Sequence, residues 1–413
     1  MLQTVTVPPK HLDDYADAAG PEAVERLREA ARPLRGARVL MLNSTAYGGG
    51  VAELLITQVP LLRDLGIDVT WAVLEGSEPF FAVTKSVHNA LQGAEVDWDQ
   101  DAEAVYGERV RANADQLSED FDVWFVHDPQ PAAIVQAMEE RGRRSGRWLW
   151  RCHIDLSTPF PPVWDFFLPL VDRYDAAVFT MEEFAQPGIA GPRLAFIPPS
   201  IDPLSDKNMS LGEEEAVGVL ARYGVDPGRP LVTQVSRFDP WKDPIGVIDA
   251  YRLAREEVPG LQLALAGSMA DDDPEGRHYL GLTEERRDGD PDIHLLTNLD
   301  GVGNLEVNAF QSRSEVVIQK SIREGFGLVV AEAMWKRTPV VGGAAGGIRL
   351  QIEDGRSGFL VDSPEACAKR TVELLRDPGR RRDMGETART RVRERFLTLR
   401  EMEDYLRLIA TLP

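Results

Sequence analysis

The sequence predicts an α/β protein that contains two doubly wound, largely parallel sheets. Short apolar runs typical of buried strands alternate with helical patterns along the chain. A turn-rich segment at residues 198–203 interrupts this alternation, which then restarts. The chain has 413 residues, more than one ordinary hydrophobic core holds, so we expect two domains. Strands that are joined through helices must be parallel and covered by helices.

Each predicted domain has its own series of strands. In the first domain, residues 1–202, the predicted strands are residues 37–42, 68–74, 123–126, 148–153, 176–180 and 194–197, with helices such as 51–65 and 132–140 between them. In the second domain, residues 203–396, they are residues 231–235, 261–266, 294–296, 316–319, 339–341 and 359–361. A final helix is predicted at residues 397–412, after the last strand.

Two glutamates, Glu324 and Glu332, lie around the junction between a buried strand and the helix predicted at residues 328–336. Gly325 and Gly327 would let a ligand approach the backbone closely, and the N–H groups of a helix start favour an anion. Glu324 in the loop could bind sugar hydroxyls, while Glu332 within the helix could bind a ribose. Taken alone, such a pair in an acidic chain is more often a solvated helix face.

Two cations follow the strand at residues 231–235 and strengthen this interpretation. Arg237 offers a planar fork of donors for phosphate oxygens, and Lys242 offers a compact charge. The turn at residues 239–240 fixes their spacing. Because ligands bind beyond the carboxyl ends of parallel strands, this loop and the Glu324 loop can border one crevice. The alternative is a pair of surface cations, although the chain has only seven lysines.

Three consecutive glycines, Gly48, Gly49 and Gly50, follow the first predicted strand and open a helix. This position suits close approach to a phosphate or a sugar. The dinucleotide spacing Gly-x-Gly-x-x-Gly is absent, and a tight turn that requires glycine explains the pattern equally well.

Two further polar residues of the first domain lie at predicted strand ends. Asp128 follows an apolar strand, so its carboxylate should reach the edge of the sheet. His153 lies at the end of another strand, with Asp155 on the same pleat face if that strand continues. His127 would point to the opposite side from Asp128 and is expected to be structural.

Four segments together closely resemble the trehalose glycosyltransferring synthases. They are Asn-Ser-Thr-Ala-Tyr-Gly-Gly-Gly-Val-Ala-Glu at 43–53, Val-His-Asp-Pro-Gln-Pro at 126–131, Trp-Arg-Cys-His-Ile-Asp at 150–155 and Ser-Arg-Phe-Asp-Pro-Trp-Lys at 236–242. The resemblance covers nearly all of the chain after about residue 35. It implies the GT-B fold, in which two Rossmann-like domains face each other across a cleft. It also implies that the terminal segment, residues 397–413, packs back on the first domain.

The resemblance further implies a retaining glucosyltransferase. Such an enzyme would transfer glucose from UDP-, ADP- or GDP-glucose to free D-glucose and form α,α-trehalose in a reversible reaction. Retention implies attack on the face that the leaving group departs from, with a phosphate oxygen of that group taking the acceptor's proton. No carboxylate is identified as a covalent nucleophile.

The same resemblance assigns roles to the candidate residues. His153 would contact the donor glucose near its 6-hydroxyl, and Asp128 would contact the sugars at the reaction centre. Arg237 and Lys242 would stabilise the departing diphosphate, and Glu324 would position the donor hexose. The wider donor site would include Gly48, Gly49, Gly50, Asn298, Leu299, Gly325, Phe326, Gly327, Leu328 and Glu332, with Asn298 and Leu299 near the nucleobase.

The acceptor side is assigned to a segment that resembles the family's acceptor helix. Its candidate contacts are Phe80, Lys85, His88 and Asn89, together with Asp128. The spacing alone fits an ordinary amphipathic helix equally well. Free glucose is preferred over glucose 6-phosphate, because the first domain shows no cationic cluster beyond Lys85.

Charge and composition exclude several classes of partner. The formal net charge is −21, and the resulting field repels nucleic acid and anionic membranes. The sequence has no N-terminal targeting pattern and no apolar run of about 18 residues, which predicts a cytoplasmic protein. A homodimer is left open.

The sequence predicts no essential metal ligand or cofactor. Asp-x-Asp patterns occur at residues 97–99, 271–273 and 288–290, but 67 acidic residues make such matches common by chance. A Mg²⁺ ion that accompanies the diphosphate is left open. Cys152 and Cys367 lie in different predicted domains and indicate neither a disulfide nor a zinc site.

Two alternatives remain. A trehalose phosphorylase would share the fold but use inorganic phosphate in place of the nucleotide. A non-catalytic sugar-nucleotide sensor would bind nucleotide without turnover, which the combination of Arg237, Lys242, Glu324 and Glu332 disfavours.

Overall fold

Residues 2–47, 49–269 and 274–413 are described by the computed structural model, and the chain divides into two units. Unit 1 runs to Pro199 and includes Thr398–Pro413, whereas unit 2 comprises Ser200–Leu397. Each unit has its own sheet and its own buried apolar core.

Unit 1 contains a sheet of seven strands in the described part of the chain. The strands are β1 (Gln3–Thr4), β2 (Arg38–Asn43), β3 (Asp68–Val73), β4 (Val123–His127), β5 (Arg147–Arg151), β6 (Ala176–Phe179) and β7 (Arg193–Phe196). The helices among them are α1 (Ala16–Ala19), α2 (Pro21–Ala31), α3 (Gly50–Asp64), α4 (Glu78–Leu91), α5 (Gln100–Gln116), α6 (Ile134–Glu140) and α7 (Pro161–Val171). The strand order is β1-β3-β2-β4-β5-β6-β7, with β1 antiparallel and the other pairs parallel.

Unit 2 contains a six-stranded parallel sheet among its described residues. The strands are β8 (Leu231–Val235), β9 (Gln262–Gly267), β10 (Ile293–Thr297), β11 (Val316–Gln319), β12 (Val340–Gly343) and β13 (Phe359–Val361). The helices are α8 (Glu213–Arg222), α9 (Pro244–Glu257), α10 (Pro274–Arg287), α11 (Asn304–Arg313), α12 (Leu328–Trp335), α13 (Ile348–Gln351), α14 (Pro364–Arg376) and α15 (Pro378–Arg395). The strand order is β10-β9-β8-β11-β12-β13.

The strand order of each sheet reverses at one point, which positions the candidate site. In unit 1 the reversal lies between β2 and β4, and in unit 2 between β8 and β11. Loops that leave neighbouring strands at such a point diverge to opposite faces and leave a crevice for a ligand. The loops after β2, β4, β8 and β11 are the ones that carry most of the predicted site residues.

The last helix, α16 (Thr398–Ala410), belongs to unit 1 and closes one face of its sheet. Tyr405 of α16 packs edge-on against Phe125 of β4, with ring centroids 4.9 Å apart. On the opposite face of β4 and β5, Trp124 and Trp148 stack at 4.4 Å. Both faces of these strands are therefore buried, which explains their nearly continuous apolar sequence.

The strands predicted from the sequence are all present, with ends that differ by at most two residues. One difference affects the site. The strand predicted to reach residue 153 ends at Arg151; the Cys152 N–H still donates to the Val178 carbonyl of β6, and the residues that follow lie outside the sheet. The condition on which His153 and Asp155 would share a pleat face, a strand that continues past residue 153, is therefore not met. Within the described residues, no helix is both long and apolar enough to cross a membrane.

Candidate functional site

The order of strands in unit 2 brings the loops after β8 and β11 together. Lys242 Nζ lies 2.6 Å from Glu324 Oε2, and the Ser321 hydroxyl donates to the same oxygen at 3.1 Å. The two charged side chains are only 16% and 9% exposed, so solvent screens their attraction less than it would on the surface. The pair is a partly buried ion pair at the reversal point of the sheet.

Hydrogen bonds within the loops hold this pair in place. Asp239 Oδ1 accepts from the Lys242 N–H at 3.0 Å, and Gln234 Nε2 donates to the Lys242 carbonyl at 2.7 Å. The Ile322 N–H donates to the Trp241 carbonyl at 2.8 Å and ties the β11 loop to the β8 loop. Lys242 therefore lies on a constrained turn, which is a good support for a binding group.

Gly327 allows the chain to turn from the Glu324 loop into α12. Its φ of 80° is left-handed, and a Cβ atom at this position would lie 3.1 Å from Glu324 Cγ. Gln351 of α13 donates to the carbonyls of Phe326 and Gly327 at 2.6 and 3.1 Å and supports the turn. Any side chain at position 327 would therefore strain the backbone and crowd the glutamate.

Arg237 is the accessible cation of this region. Its side chain is 63% exposed, and its guanidinium lies 3.2 Å from Asp239 Oδ2. That contact has ion-pair distance but not hydrogen-bond geometry, since Asp239 Oδ2 has no hydrogen-bond partner among the described residues. With five donors on the guanidinium, Arg237 can bind further oxygens without losing this contact.

Glu332 lies in a different environment from Glu324. It is completely buried within α12, where its Oε2 accepts from Gln311 Nε2 at 3.3 Å. Lys207 Nζ lies 3.4 Å from Oε1, at ion-pair distance but without hydrogen-bond geometry. The described contacts of Glu332 are thus with protein partners of unit 2.

The loop after β10 carries the two residues proposed for the nucleobase. Asn298 accepts from the Met269 N–H at 2.7 Å and donates to the Met269 carbonyl at 3.1 Å, which ties this loop to the end of β9. The neighbouring Leu299 is 74% exposed, and its N–H donates to Thr297 Oγ1. Asn298 is a structural link in this arrangement, and Leu299 presents an apolar surface to solvent.

Asp128 of unit 1 has an unusual backbone conformation. Its φ is 66°, in the left-handed region that aspartate tolerates better than most residues. The Asp128 N–H donates to the Arg151 carbonyl at 2.8 Å, and Oδ1 accepts from the His153 N–H at 2.8 Å. The Trp150 indole donates to the Asp128 carbonyl at 2.9 Å. These bonds turn the half-buried carboxylate outward at the end of β4.

His127 and His153 form a hydrogen-bonded pair. His127 Nδ1 lies 3.1 Å from His153 Nε2, and the two rings are nearly parallel with centroids 5.4 Å apart. His127 is buried, whereas His153 is half-buried and reaches the surface of unit 1. The sequence predicted a site role for His153 but not its hydrogen bond to His127, because that contact forms only where the two strands β4 and β5 end.

Burial controls the protonation of these groups. It lowers the pKa of His127 to about 3 and the pKa of His153 well below its usual value, and the Arg151 charge lowers both further. Burial also raises the pKa of Asp128 to about 6, against the opposing effects of its His153 hydrogen bond and Arg151. At neutral pH the site therefore has two neutral imidazoles beside a carboxylate that is close to titrating.

The glycine-rich segment follows β2 as predicted, and Gly49 and Gly50 begin α3. Asn43 shapes the preceding turn, since its Nδ2 donates to the Thr45 carbonyl at 2.7 Å and its Oδ1 accepts from the Trp71 indole. Gly48, which we also assigned to the donor site, lies outside the described residues.

The segment assigned to the acceptor forms α4. Phe80 is completely buried and contacts the rings of Phe81 and Tyr106, so it contributes to the core. Lys85 is exposed, and His88 and Asn89 are half-buried, as are Asp128 and His153 of the same unit.

A metal site is not evident in the described residues, which contain no group of three or more His, Cys, Asp or Glu residues arranged to hold an ion. Asp99 caps α5 through the Ala102 N–H, and Asp290 pairs with Arg255 at 2.6 Å. The triplet at residues 271–273 lies outside the described residues. Cys152 and Cys367 are free and buried.

Comparison with known families and proteins agrees with this arrangement. The family model for the N-terminal domain of trehalose synthase matches residues 41–186, and the model for glycosyl transferases group 1 matches residues 220–391. The trehalose synthase of Rubrobacter xylanophilus is 52% identical over 100% of this chain and 99% of its own length. A trehalose phosphorylase of Pleurotus pulmonarius is 27% identical over 96% of this chain and 60% of its own length.

A solved structure has the same fold. The α,α-trehalose-phosphate synthase (UDP-forming) of Burkholderia xenovorans superposes with a TM-score of 0.71 at 15% identity, covering 90% of this chain and 99% of that one. At such low identity this similarity concerns the fold alone. It confirms the predicted class of two Rossmann-like α/β domains, and the sequence matches confirm the predicted resemblance. The chain belongs to the trehalose synthase family and is a hexosyltransferase with the GT-B fold.

Proposed function

We propose that this trehalose-related glycosyltransferase transfers glucose from a nucleoside-diphosphate glucose to free D-glucose and forms α,α-trehalose, in a reversible reaction. The observation that carries the proposal is the ion pair between Lys242 and Glu324 at the reversal point of the unit 2 sheet, in a chain 52% identical to a trehalose synthase. This pair combines a cation for a diphosphate with a carboxylate for sugar hydroxyls.

Unit 2 would bind the donor. Arg237 is exposed and can make bidentate hydrogen bonds to the diphosphate. Lys242 would neutralise the charge that develops as the diphosphate leaves. Glu324 would then exchange part of its contact with Lys242 for hydrogen bonds to donor hydroxyls. Gly325, Phe326, Gly327 and Leu328 would supply backbone contacts, because the loop and the start of α12 approach closely here.

The described contacts restrict two of the donor assignments. Glu332 would hold the ribose only if its Oε1 turns from Lys207 toward a ligand, since the carboxylate is completely buried. For the nucleobase, the exposed Leu299 offers an apolar face, whereas the Asn298 side chain is occupied by the backbone of Met269.

Unit 1 would bind uncharged sugars. His153 would hydrogen-bond the donor glucose, and Asp128 would accept from a sugar hydroxyl at the reaction centre. Lys85, His88 and Asn89 of α4 would contribute polar contacts to the acceptor, while Phe80 acts through packing. A single lysine on this helix suits free glucose better than its dianionic 6-phosphate.

The reaction would proceed with retention of configuration. Bond cleavage leaves an oxocarbenium-like hexose and a diphosphate whose new charge Lys242 and Arg237 stabilise. The acceptor hydroxyl attacks on the face that the leaving group has vacated, and a phosphate oxygen takes its proton. The residues need only align the partners, because the leaving group itself serves as the base.

The experiment is an incubation of the purified protein with glucose and UDP-, ADP- or GDP-glucose, followed by NMR identification of the product. We expect a non-reducing disaccharide with both anomeric carbons in the α configuration. A reducing disaccharide, or no product with any donor, would disprove the assignment. Replacement of glucose by glucose 6-phosphate tests the acceptor, and a higher kcat/KM for the phosphate would reverse our preference.

The phosphorylase alternative is supported by the 27% identity with the Pleurotus enzyme. It predicts phosphate-dependent cleavage of trehalose and no affinity for nucleotides. Calorimetry with UDP, ADP and GDP separates the two readings, because binding of any of them requires a nucleotide site. Phosphate-dependent release of glucose from trehalose without nucleotide binding would replace our proposal by this one.

A further inference from the structure

Arg151, the last residue of β5, is completely buried in unit 1. None of its three guanidinium nitrogens has a hydrogen-bond partner within the described part of the chain. Buried charges are normally paired, because the low dielectric makes an uncompensated ion unfavourable. A protein that retains one has a reason other than stability, and such groups concentrate at functional sites.

The register of the sheet places Arg151 beside the histidine pair. Arg151 lies directly opposite His127 in the parallel pairing of β4 and β5, so both side chains point to the same face. His127 stacks on Phe125, which is two residues earlier on that face, and bonds to His153 beyond the strand end. The sequence signal for this arrangement is an arginine within an otherwise apolar strand.

On the same face, α16 contributes the Glu401 carboxylate as a counter-charge and the neutral phenol of Tyr405. Glu401 is completely buried; its Oε1 accepts from the Tyr405 hydroxyl and its Oε2 from Gln58 of α3, both at 3.1 Å. Tyr405 also contacts Phe125, the ring beneath His127. The Arg151 charge affects the ionisation of Tyr405, which places the guanidinium near this end of α16. Glu401 accepts from these two neutral donors, and because the Arg151 nitrogens have no hydrogen-bond partner among the described residues, the attraction between the two charges acts through space.

The titratable and charged groups around the His127–His153 pair come from β4, β5, the loops that follow them, and α16. They are His127 and Asp128 from β4 and its loop, Arg151, Cys152, His153 and Asp155 from β5 and its loop, and Arg400, Glu401 and Tyr405 from α16. Arg151 is the charge that acts on both imidazoles.

We propose that Arg151 is a positioning residue that holds the neutral His127–His153 pair in one tautomer, so that His153 presents Nδ1–H to the sugar. The tautomer follows from the contacts. His127 Nε2 has no hydrogen-bond partner among the described residues. Because the neighbouring Arg151 guanidinium is a cation that can only donate, it favours an unprotonated Nε2 with its lone pair free. The His127 proton then sits on Nδ1 and is donated to His153 Nε2, which leaves the His153 proton on Nδ1. The sugar contact rests on the proposed function, whereas the state of the pair does not.

The primary test is the ¹⁵N spectrum of the imidazoles, which the presence of only six histidines makes tractable. In the unaltered protein we expect His127 and His153, assigned with the His127→Gln variant, to remain neutral between about pH 5.5 and 8 with protons on Nδ1. In Arg151→Met, which keeps part of the unbranched stem without the charge, we expect a mixture of tautomers. Arg151→Lys keeps a cation and should restore the single tautomer.

Kinetics supply the second readout. Loss of the cation raises the pKa of both histidines and of Asp128, so the acid limb of kcat/KM should move to higher pH in Arg151→Met. We expect about a fivefold loss near pH 6 beyond any loss at pH 8, because a rise of one unit in the pKa of Asp128 from about 6 would lower its ionised fraction at pH 6 by that factor. An unchanged pH profile together with an unchanged imidazole spectrum would overturn the proposal.

Stability provides the control for a merely structural role. Arg151→Met loses no hydrogen bond and only the attraction to Glu401 at a distance, so its melting temperature should change little, whereas replacement of a structural arginine would unfold the protein. If this variant does not fold, Arg151→Lys decides alone: a mixture of tautomers despite the retained cation overturns the proposal. If no trehalose is formed but the spectra behave as expected, the proposed reaction fails and the Arg151 assignment stands.

Discussion

The charges of the two units are arranged in opposite ways. In unit 2, Lys242 and Glu324 form a partly buried ion pair at 2.6 Å, and Arg237 beside them is open to solvent. In unit 1, Arg151 is completely buried without a hydrogen-bond partner, and the exposed part of the site consists of a neutral histidine and a carboxylate. Unit 2 thus places its cation in a direct ion pair at a strand end, whereas unit 1 buries its cation beside two neutral imidazoles.

This difference fits the two chemical halves of an activated sugar. A diphosphate is bound by cations that can exchange one anionic partner for another, and Lys242 already has such a partner in Glu324. A hexose offers only hydroxyls, which neutral donors and acceptors bind without the desolvation cost of a bare ion. If this division is correct, activity should depend on the cations of unit 2 and on the protonation states of the site residues in unit 1.

Lys242→Ala should have the largest effect. Loss of the cation that stabilises the leaving group is expected to lower kcat by about 10²–10³-fold, the range observed when one electrostatic stabiliser is removed. The melting temperature should change much less, because the pair is not part of the apolar core. Turnover and thermal unfolding of the variant give both values. Lys369→Ala on the exposed surface is the matched control, and equal losses of stability and activity in Lys242→Ala would refute the role.

Asp128→Asn should separate activity from stability. Asparagine tolerates the φ of 66° and can keep the bond to the His153 N–H, but it cannot ionise. Because the folded protein raises the pKa of Asp128 from 3.8 to about 6, this group favours folding below about pH 4 and loses that contribution as the pH rises through 6. Asp128→Asn cannot ionise and therefore does not lose stability in this pH range. At pH 7 we expect it to be more stable by about 1–2 kcal/mol, discounted because the carboxylate is half-buried, and about tenfold or more less active.

Urea unfolding of both proteins between pH 3.5 and 8 measures this difference. The two stability profiles should diverge between about pH 4 and 6 and run parallel above that range. Parallel profiles over the whole range would show that Asp128 is not destabilised by burial.

Much of the fold and part of the site follow from the sequence. Alternating strands and helices dictate parallel sheets, and in such sheets the loops after β8 and β11 become neighbours. The contact between Lys242 and Glu324 could thus be anticipated from two residues that follow strands. The burial of Glu332 could not, because it depends on Gln311 of α11 and on Lys207, whose positions periodicity does not specify. The environment of Arg151 could not be predicted for the same reason, because its lack of hydrogen-bond partners depends on which side chains of α16 lie on that face of the sheet.

Gly327→Ala should have an intermediate effect on unit 2. The left-handed backbone would cost about 1–2 kcal/mol, and the new Cβ would lie 3.1 Å from Glu324 Cγ and displace the glutamate from Lys242. We expect a lower melting temperature and a several-fold higher KM for the nucleotide-glucose. Gly281→Ala in α10 is the control, since a Cβ there meets no atom within 4 Å and alanine favours a helix. An unchanged KM in Gly327→Ala would indicate that Glu324 does not contact the donor.

Chelation should have the smallest effect and tests whether the cations of unit 2 suffice. Lys242 and Arg237 supply positive charge where the diphosphate would bind, so an added ion has little left to neutralise. We expect EDTA to change kcat/KM by less than about twofold, with Mg²⁺ acting only through its complex with the free diphosphate. A loss of turnover that Mg²⁺ restores in the unaltered protein would mean that the leaving group needs more charge than these two side chains provide. Repeating the titration with Lys242→Ala sharpens the result: if the lysine does the work of an ion, only the variant should respond to added Mg²⁺.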